Sequence, residues 1–200
     1  VTEPQRLVGE LGRGKVTVLE IVPSLMSVLL EQTEQGHRRQ LKYLRWLIPT
    51  GEALSVSLAR EWYRQYPQVK LVNAYGPAEA SDDVTLWCVE PANLEKQETI
   101  PIGKPLPNIQ IYIMEPNLRI CPIHVEGEIC VSGIGVGKGY MNDPGKTAGV
   151  FEMNPYRREI GGSDYTVLYR TGDMGYYTGE GNIEFLGRRD HQVKIRGQRI

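Results

Sequence analysis

A tyrosine, a Gly-Pro pair and three carboxylates stand together in NAYGPAEASDD (73–83). Tyr75 offers an aromatic face to a flat base, and Glu79 offers a hard oxygen to a cation such as Mg²⁺. The same residues also read as a plain Gly-Pro turn after a buried strand. YRTGD (169–173) adds Asp173 at a turn, where one carboxylate either accepts from both hydroxyls of a ribose or serves as an Asx-type turn residue. In GRRDHQVKIRG (187–197), the basic groups either line a solvated edge strand or let Arg188 neutralise a nucleotide's phosphate or hold its ribose. The glycine-rich GEICVSGIGVGKGYMNDPGKTAGVF (127–151) lacks the strand–loop–helix arrangement of a phosphate loop. Its glycines and the Asn-Asp-Pro turn are expected to shape tight connections between strands. His37, His124 and His191 are scattered, without a Ser-His-Asp pattern or metal-ligand spacing.

Elements of two kinds must position these groups. KVTVLEIV (15–22), LKYLRWLI (41–48) and VKLVNAY (69–75) read as strands. Between them, Pro23-Ser24 opens a helix with Leu25, Met26, Leu29 and Leu30 at helical spacing and Gly36 as its stop. SVSLAREWYRQYP (55–67) reads as a second helix, capped by Ser55. Strand–helix–strand alternation with short connections implies a parallel sheet with right-handed crossovers. After about residue 100 the pattern changes to short runs split by Gly, Pro, Asn and Asp: IQIYIM, GEICVSG, MGYYT, NIEFLG and QVKIRG. These read as antiparallel or barrel-like β structure. The expected fold class is therefore α/β, a parallel sheet with flanking helices followed by a β-rich barrel-like part. Ligands of parallel sheets bind outside the carboxyl ends of the strands. Glu20, PTGE (49–52) and NAYGPAE (73–79) all fall there. They either line one crevice or are three ordinary strand-to-helix turns.

A net charge of −1 gives no electrostatic case for nucleic acid or an anionic membrane. No apolar run approaches the ~20 residues of a membrane span. Cys88, Cys121 and Cys130 lack metal-ligand spacing and are expected as reduced, small apolar filler, which fits a cytoplasmic location. The chain opens without Met and stops inside a strand-like alternation, so a piece of a larger domain is expected.

Taken in order, NAYGPAE, the 127–151 stretch, YRTGD and GRRDHQVKIRGQRI resemble successive core motifs of the adenylation domains of nonribosomal peptide synthetases, within the adenylate-forming superfamily. IPIGKPLPN (100–108) resembles the family's link between two of them. The resemblance covers essentially the whole chain. It implies activation of an amino acid by ATP and Mg²⁺ as an aminoacyl-AMP with release of pyrophosphate. Transfer to a phosphopantetheine thiol on a carrier domain follows. Its partners would be that peptidyl carrier domain and a condensation domain of the same assembly line.

Carried onto this chain, the resemblance has Tyr75 stack on adenine and Glu79 hold Mg²⁺. Asp173 binds the ribose hydroxyls, Phe185 packs near the sugar, and Arg188 contacts the ribose-phosphate. Gly51, Gly76 and Ala78 belong to the nucleotide site. Asp190 matches a hinge, with Lys194 just past it. The implied layout is 1–99 and 100–189 as parts of a large subdomain, with 190–200 starting a small one. Ala78 departs from the family's usual Thr. The family's phosphate loop and amino-group-binding Asp are expected before Val1, and its C-terminal catalytic Lys after Ile200, so a chain of this extent is expected to be inactive alone.

The family's side-chain pocket aligns with Glu20, Ile48, Thr50, Ala74, Asp82 and Asp83. Three of these are acidic, and a buried carboxylate needs a partner. A basic substrate such as arginine, ornithine or lysine would supply one. Alternatively, Asp82 and Asp83 turn outward or cap a helix start. Two other readings of the chain are an acyl- or aryl-CoA ligase of the same superfamily and a degenerate, non-catalytic scaffold.

Overall fold

Ser55 ends an extended segment, and its hydroxyl accepts the N–H of Leu58, so the helix after it begins with a satisfied donor. This geometry comes from a computed structural model that describes residues 4–32, 41–160, 163–189, 194–195 and 198–199. The chain divides into two units. One comprises Val1–Ala74, Trp87–Ile100 and Val193–Ile200; the other comprises Tyr75–Leu86 and Pro101–Gln192.

The first unit alternates α1 (Pro4–Arg13), β1 (Val18–Ile21), α2 (Pro23–Gln32), β2 (Trp46–Pro49), α3 (Val56–Gln65) and β3 (Lys70–Tyr75, whose last residue belongs to the second unit). The three strands pair in parallel, with Glu20 opposite Ile48 and Leu47 opposite Leu71. Met26 and Leu29 of α2 and Ala59 and Trp62 of α3 are buried with Leu47 and Leu71 in one core. The Trp62 indole N–H donates to Val69 O, so this large side chain is buried without an orphan donor. The sequence reading placed a strand over 41–48, but the extended segment is Trp46–Pro49. Leu41 and Leu44 sit in and just after a helical turn and are buried at three-residue spacing with Leu47, which mimics a continuous apolar run.

The second unit is antiparallel. Thr85 and Leu86, at the start of β4 (Thr85–Val89), pair with β5 (Lys104–Pro105). A second sheet is formed by β6 (Ile109–Met114), β7 (Gly127–Gly133), β9 (Val167–Tyr177) and β10 (Ile183–Arg188). Its order is β10-β9-β7-β6, open rather than closed into a barrel, and β8 (Phe151–Met153) also pairs with β9. Before β8 lies the short helix α4 (Pro144–Val150). Every residue of the central strand β7 is buried. Alternation sends Ile129 and Val131 into one cluster with Ile111, Ile113 and Ile183, and Cys130 into another with Tyr112, Met114 and Leu168. Cys121 and Cys130 are buried as expected, whereas Cys88 is exposed. A short antiparallel pair, β11 (Lys194–Ile195) with β12 (Gln198–Arg199), belongs to the first unit. Among the described residues, no helix is long and apolar enough to cross a membrane.

Tyr177 ends β9, and its hydroxyl donates to Ile111 O at 3.0 Å. Burial, with a smaller contribution from Tyr112, pushes its pKa up to about 12. The folded value lies above the unfolded value of about 10. Its contribution to stability is therefore complete below about pH 10 and lost as pH rises through about 12. In that window the unfolded chain has released the proton and the folded one retains it. Stability should fall by up to about 1.4 kcal/mol per pH unit from this group. Urea unfolding at about pH 9 and about pH 11 checks this. Tyr177→Phe should shrink the difference between the two; an unchanged difference contradicts the assignment.

Candidate functional site

Asp173 lies inside an eleven-residue strand, not at the turn expected from YRTGD. The strand continues because it bulges. Glu128 pairs with Met174 and Cys130 with Arg170, so the single residue Ile129 faces 171–173. Gly172 adopts φ +74, and a Cβ there would lie 2.7 Å from Arg188 Nη2. Only glycine combines that backbone with that clearance. The bulge thus lays the Arg188 guanidinium across Gly172 and turns Asp173 toward it.

Around Asp173 the groups converge. Arg188 stands opposite it across β9–β10, and Arg188 Nη1 donates to Asp173 Oδ1 and Thr171 O, both at 3.0 Å. The Tyr75 hydroxyl donates to Asp173 Oδ2 at 2.7 Å. Burial, reinforced by the charge of Asp173 and this hydrogen bond, holds the Tyr75 hydroxyl well above its ordinary pKa, so it remains a donor. The Tyr75 and Phe185 rings lie 5.9 Å apart at 42°. The side chains of Arg188 and Asp173 are 17% and 11% exposed, so the pair is largely but not fully buried. A carboxylate carries about four lone-pair sites, and Arg188 and Tyr75 each use one on opposite oxygens.

Glu79 lies in the helical turn Ala78–Ala80 that follows β3. The Tyr140 hydroxyl donates to Glu79 Oε1 at 2.7 Å, and the Gly137 N–H donates to Glu79 O at 2.8 Å. Tyr140 is itself held by Thr147, whose hydroxyl accepts its N–H, and by Lys146, whose ammonium lies 4.2 Å from the ring centroid. Ser81 adds a bond to Gly135 O. The glycine-rich stretch therefore does more than connect strands: it seats against the 78–80 turn. Its Asn-Asp-Pro is not a strand-to-strand turn but the start of α4, with Asp143 accepting the Lys146 N–H and Pro144 in the first turn, so a strand, a glycine-rich loop and a helix do follow one another here, contrary to the expectation from sequence. Mg²⁺ is commonly held by one or two carboxylates together with a substrate's phosphates, and Glu79 suits that donor set.

The remaining expected site residues are distributed as follows. Glu20 and Ile48 are direct cross-strand partners, Thr50 follows β2, and Ala74 is buried near the carboxyl end of β3, all in the first unit. Gly51, with φ +79, also lies there. Glu52 of the same PTGE segment caps α2 through the N–H and hydroxyl of Ser24. In the second unit Gly76 and Ala78 flank Pro77, Asp82 is exposed and Asp83 half-buried. Asp190 lies outside the described residues, and of Lys194 only the backbone, in β11, is described. Sequence reasoning did not single out Tyr140, Thr171, Glu128 or Arg170. Thr171 and Arg170 stood in the quoted YRTGD, and Tyr140 and Glu128 in the glycine-rich stretch, but their partners are distant in sequence.

The family model for AMP-binding enzymes matches residues 1–141. Bacitracin synthase 3 of Bacillus licheniformis is 40% identical over 198 residues, which is 98% of this chain and 3% of that protein. Tyrocidine synthase 1 of Brevibacillus parabrevis is 38% identical over 190 residues, 95% of this chain and 16% of that protein. Among solved structures, holo-PA1221, a nonribosomal peptide synthetase protein with adenylation and PCP domains bound to a vinylsulfonamide inhibitor, superposes with a TM-score of 0.86 at 32% identity. That match covers 99% of this chain and 33% of the other, so the chain spans about a third of that structure and far less of the synthases. A family model over residues 1–141, relatives at 38–40% identity along nearly the whole chain and a superposition at TM-score 0.86 leave one assignment: the chain belongs to the AMP-binding enzyme family, as part of an adenylation domain of the nonribosomal peptide synthetase type.

Proposed function

We propose that the protein carrying this chain activates an amino acid with ATP and Mg²⁺ and hands it to a phosphopantetheine thiol. In the first step a substrate carboxylate oxygen bonds to the α-phosphorus of ATP, and the bond to pyrophosphate breaks. In the second the thiol sulfur takes the acyl carbon, releasing AMP. The observation that carries the reading is the convergence of Tyr75 and Arg188 on Asp173, with the tilted Phe185 ring beside Tyr75, so that aromatic rings stand next to a carboxylate and a guanidinium. Asp173 would accept the ribose hydroxyls, Tyr75 and Phe185 would flank base and sugar, and Arg188 would neutralise phosphate charge. Gly51, Gly76 and Ala78 would contribute to the same nucleotide site. Glu79, oriented by Tyr140, would hold Mg²⁺, which when bound supplies charge neutralisation at the phosphates. No protein nucleophile is required, because this chemistry rests on positioning and electrostatics.

Residues 1–99 and 100–189 would form parts of the large subdomain. Asp190 would act as the hinge to a small one that carries Lys194. The partners would be peptidyl carrier and condensation domains, in a reducing, cytoplasmic setting suited to three free cysteines. Glu20, Asp82 and Asp83 would put three negative charges among the side-chain pocket positions that the family resemblance implies, with Ile48, Thr50 and Ala74 completing the set. A cationic side chain is the substrate that would pair them.

Amino-acid-dependent ATP–pyrophosphate exchange on the complete adenylation domain, across the common amino acids and ornithine, tests this. Exchange should peak with arginine, ornithine or lysine, and Asp83→Ala should lower it. A peak with an apolar amino acid retains the adenylation reading and removes the charge argument. No exchange with any of them overturns the reading.

A further inference from the structure

The charged cluster behind the bulge has no part in the scheme above. Glu128 is 7% exposed and sits in the middle of the sheet unit. Its Oε2 accepts from Arg170 Nη2 at 2.6 Å and Nε at 3.1 Å, a two-point grip of the guanidinium edge on that one oxygen. Arg170 also reaches Glu152 Oε1 on β8 at 3.2 Å, and Arg189 lies 3.8 Å from Glu128 Oε2. The other oxygen, Oε1, accepts the backbone N–H of Gly172 at 3.0 Å. Beside it, Thr171 Oγ1 donates to Ile129 O at 2.7 Å and accepts the Asp173 N–H at 2.9 Å.

These bonds replace the ladder that the bulge interrupts. Where 171–173 face only Ile129, the backbone groups need other partners, and side chains supply them. A buried ion pair is in itself weak evidence for stability, because desolvation offsets much of the attraction. What this one does visibly is hold a carboxylate oxygen on the Gly172 N–H, one residue before Asp173.

We propose that Glu128, locked by Arg170, is a positioning residue that sets the Thr171–Gly172 peptide, and through it the adjoining Asp173 and Arg188, for recognition of the nucleotide's ribose. The inference rests on the reading of Asp173 as the ribose partner.

Its effect is measurable as discrimination between ATP and 2′,3′-dideoxy-ATP in pyrophosphate exchange by the complete domain. Glu128→Gln preserves size, but one amide oxygen cannot serve both Arg170 and the Gly172 N–H. It should raise KM for ATP roughly tenfold. It should also bring the ATP/dideoxy-ATP preference toward unity and leave KM for the amino acid unchanged. Arg170→Lys keeps the charge but loses the two-point grip, and should move both readouts the same way by less; it carries the test if Glu128→Gln does not fold. Equal losses with both nucleotides, preserving the preference, would show a merely structural role and overturn the inference. Asp173→Asn, run in parallel, separates the two levels. If it abolishes the preference and the Glu128 and Arg170 variants do not, the inference alone falls. If the unsubstituted enzyme shows no preference, the ribose role of Asp173 falls and takes the inference with it.

Discussion

Glu79→Gln is expected to lower amino-acid-dependent exchange by about two orders of magnitude, the scale of losing one charged Mg²⁺ ligand. The substitution is nearly isosteric, and Tyr140 can donate to the amide oxygen as it donates to Oε1 now. The backbone of the turn is also secured independently, by Gly137 N–H to Glu79 O and Ala80 N–H to Pro77 O. Folding should therefore be nearly unaffected, and the loss should follow the missing charge. A Mg²⁺ titration distinguishes this from general damage: the variant should need a higher Mg²⁺ concentration for half-maximal exchange. Tyr140→Phe should shift that midpoint in the same direction by a smaller amount, about tenfold or less, because it removes an orienting partner and not the proposed ligand itself. Exchange within threefold of the unsubstituted enzyme at every Mg²⁺ concentration would remove Glu79 from the metal site.

Tyr140 shows why part of this site was not legible in the sequence. It lies 61 residues from Glu79, and Tyr75 lies 98 from Asp173. Local patterning says nothing about contacts at such separations. Where the pattern is local, the reading and the structure coincide: IQIYIM is β6 and GEICVSG is β7, residue for residue, and Ser55 caps α3. Two local misreadings have physical causes. YRTGD reads as placing Asp173 at a turn, yet Glu128 and Thr171 supply the partners that let β9 run through Gly172 and past it. Leu41 and Leu44 looked like a strand because burial every third residue, continued by Leu47, resembles an apolar run when written out. The motif residues Tyr75, Asp173, Phe185 and Arg188 were legible as types and do come together. Their orientation depends on Glu128 and the bulge, whose signal is spread over two strands.

Gly76→Ala should be among the most damaging single-methyl changes in the protein. The need is for space. A Cβ on Gly76 would overlap the Asp82 carbonyl oxygen and lie 2.6 Å from its carbon and 2.8 Å from the Val84 nitrogen. All three are backbone atoms, which cannot swing aside as a side-chain tip can. The neighbouring bond from Val84 N–H to Tyr75 O, at 2.8 Å, closes the loop across this same point. Ser81 and Asp82, with φ +65 and +71, already hold strained left-handed conformations to bring the Asp82 carbonyl there. Relieving the overlap must reopen the loop, and Glu79 lies inside it. We expect a loss of roughly 3 kcal/mol or more, at or beyond the upper end for overpacking. Exchange activity should fall even in the fraction that remains folded. Gly149→Ala is the matched control. It lies in α4 with nothing within 4 Å of an added Cβ, so it should be neutral or stabilise by about 0.5–1 kcal/mol. Denaturant midpoints for the two variants decide the matter. If Gly76→Ala unfolds within about 0.5 kcal/mol of the unsubstituted protein, a threshold typical of neutral surface changes, the loop is not closed as described, and the placement of Glu79 must be revised with it.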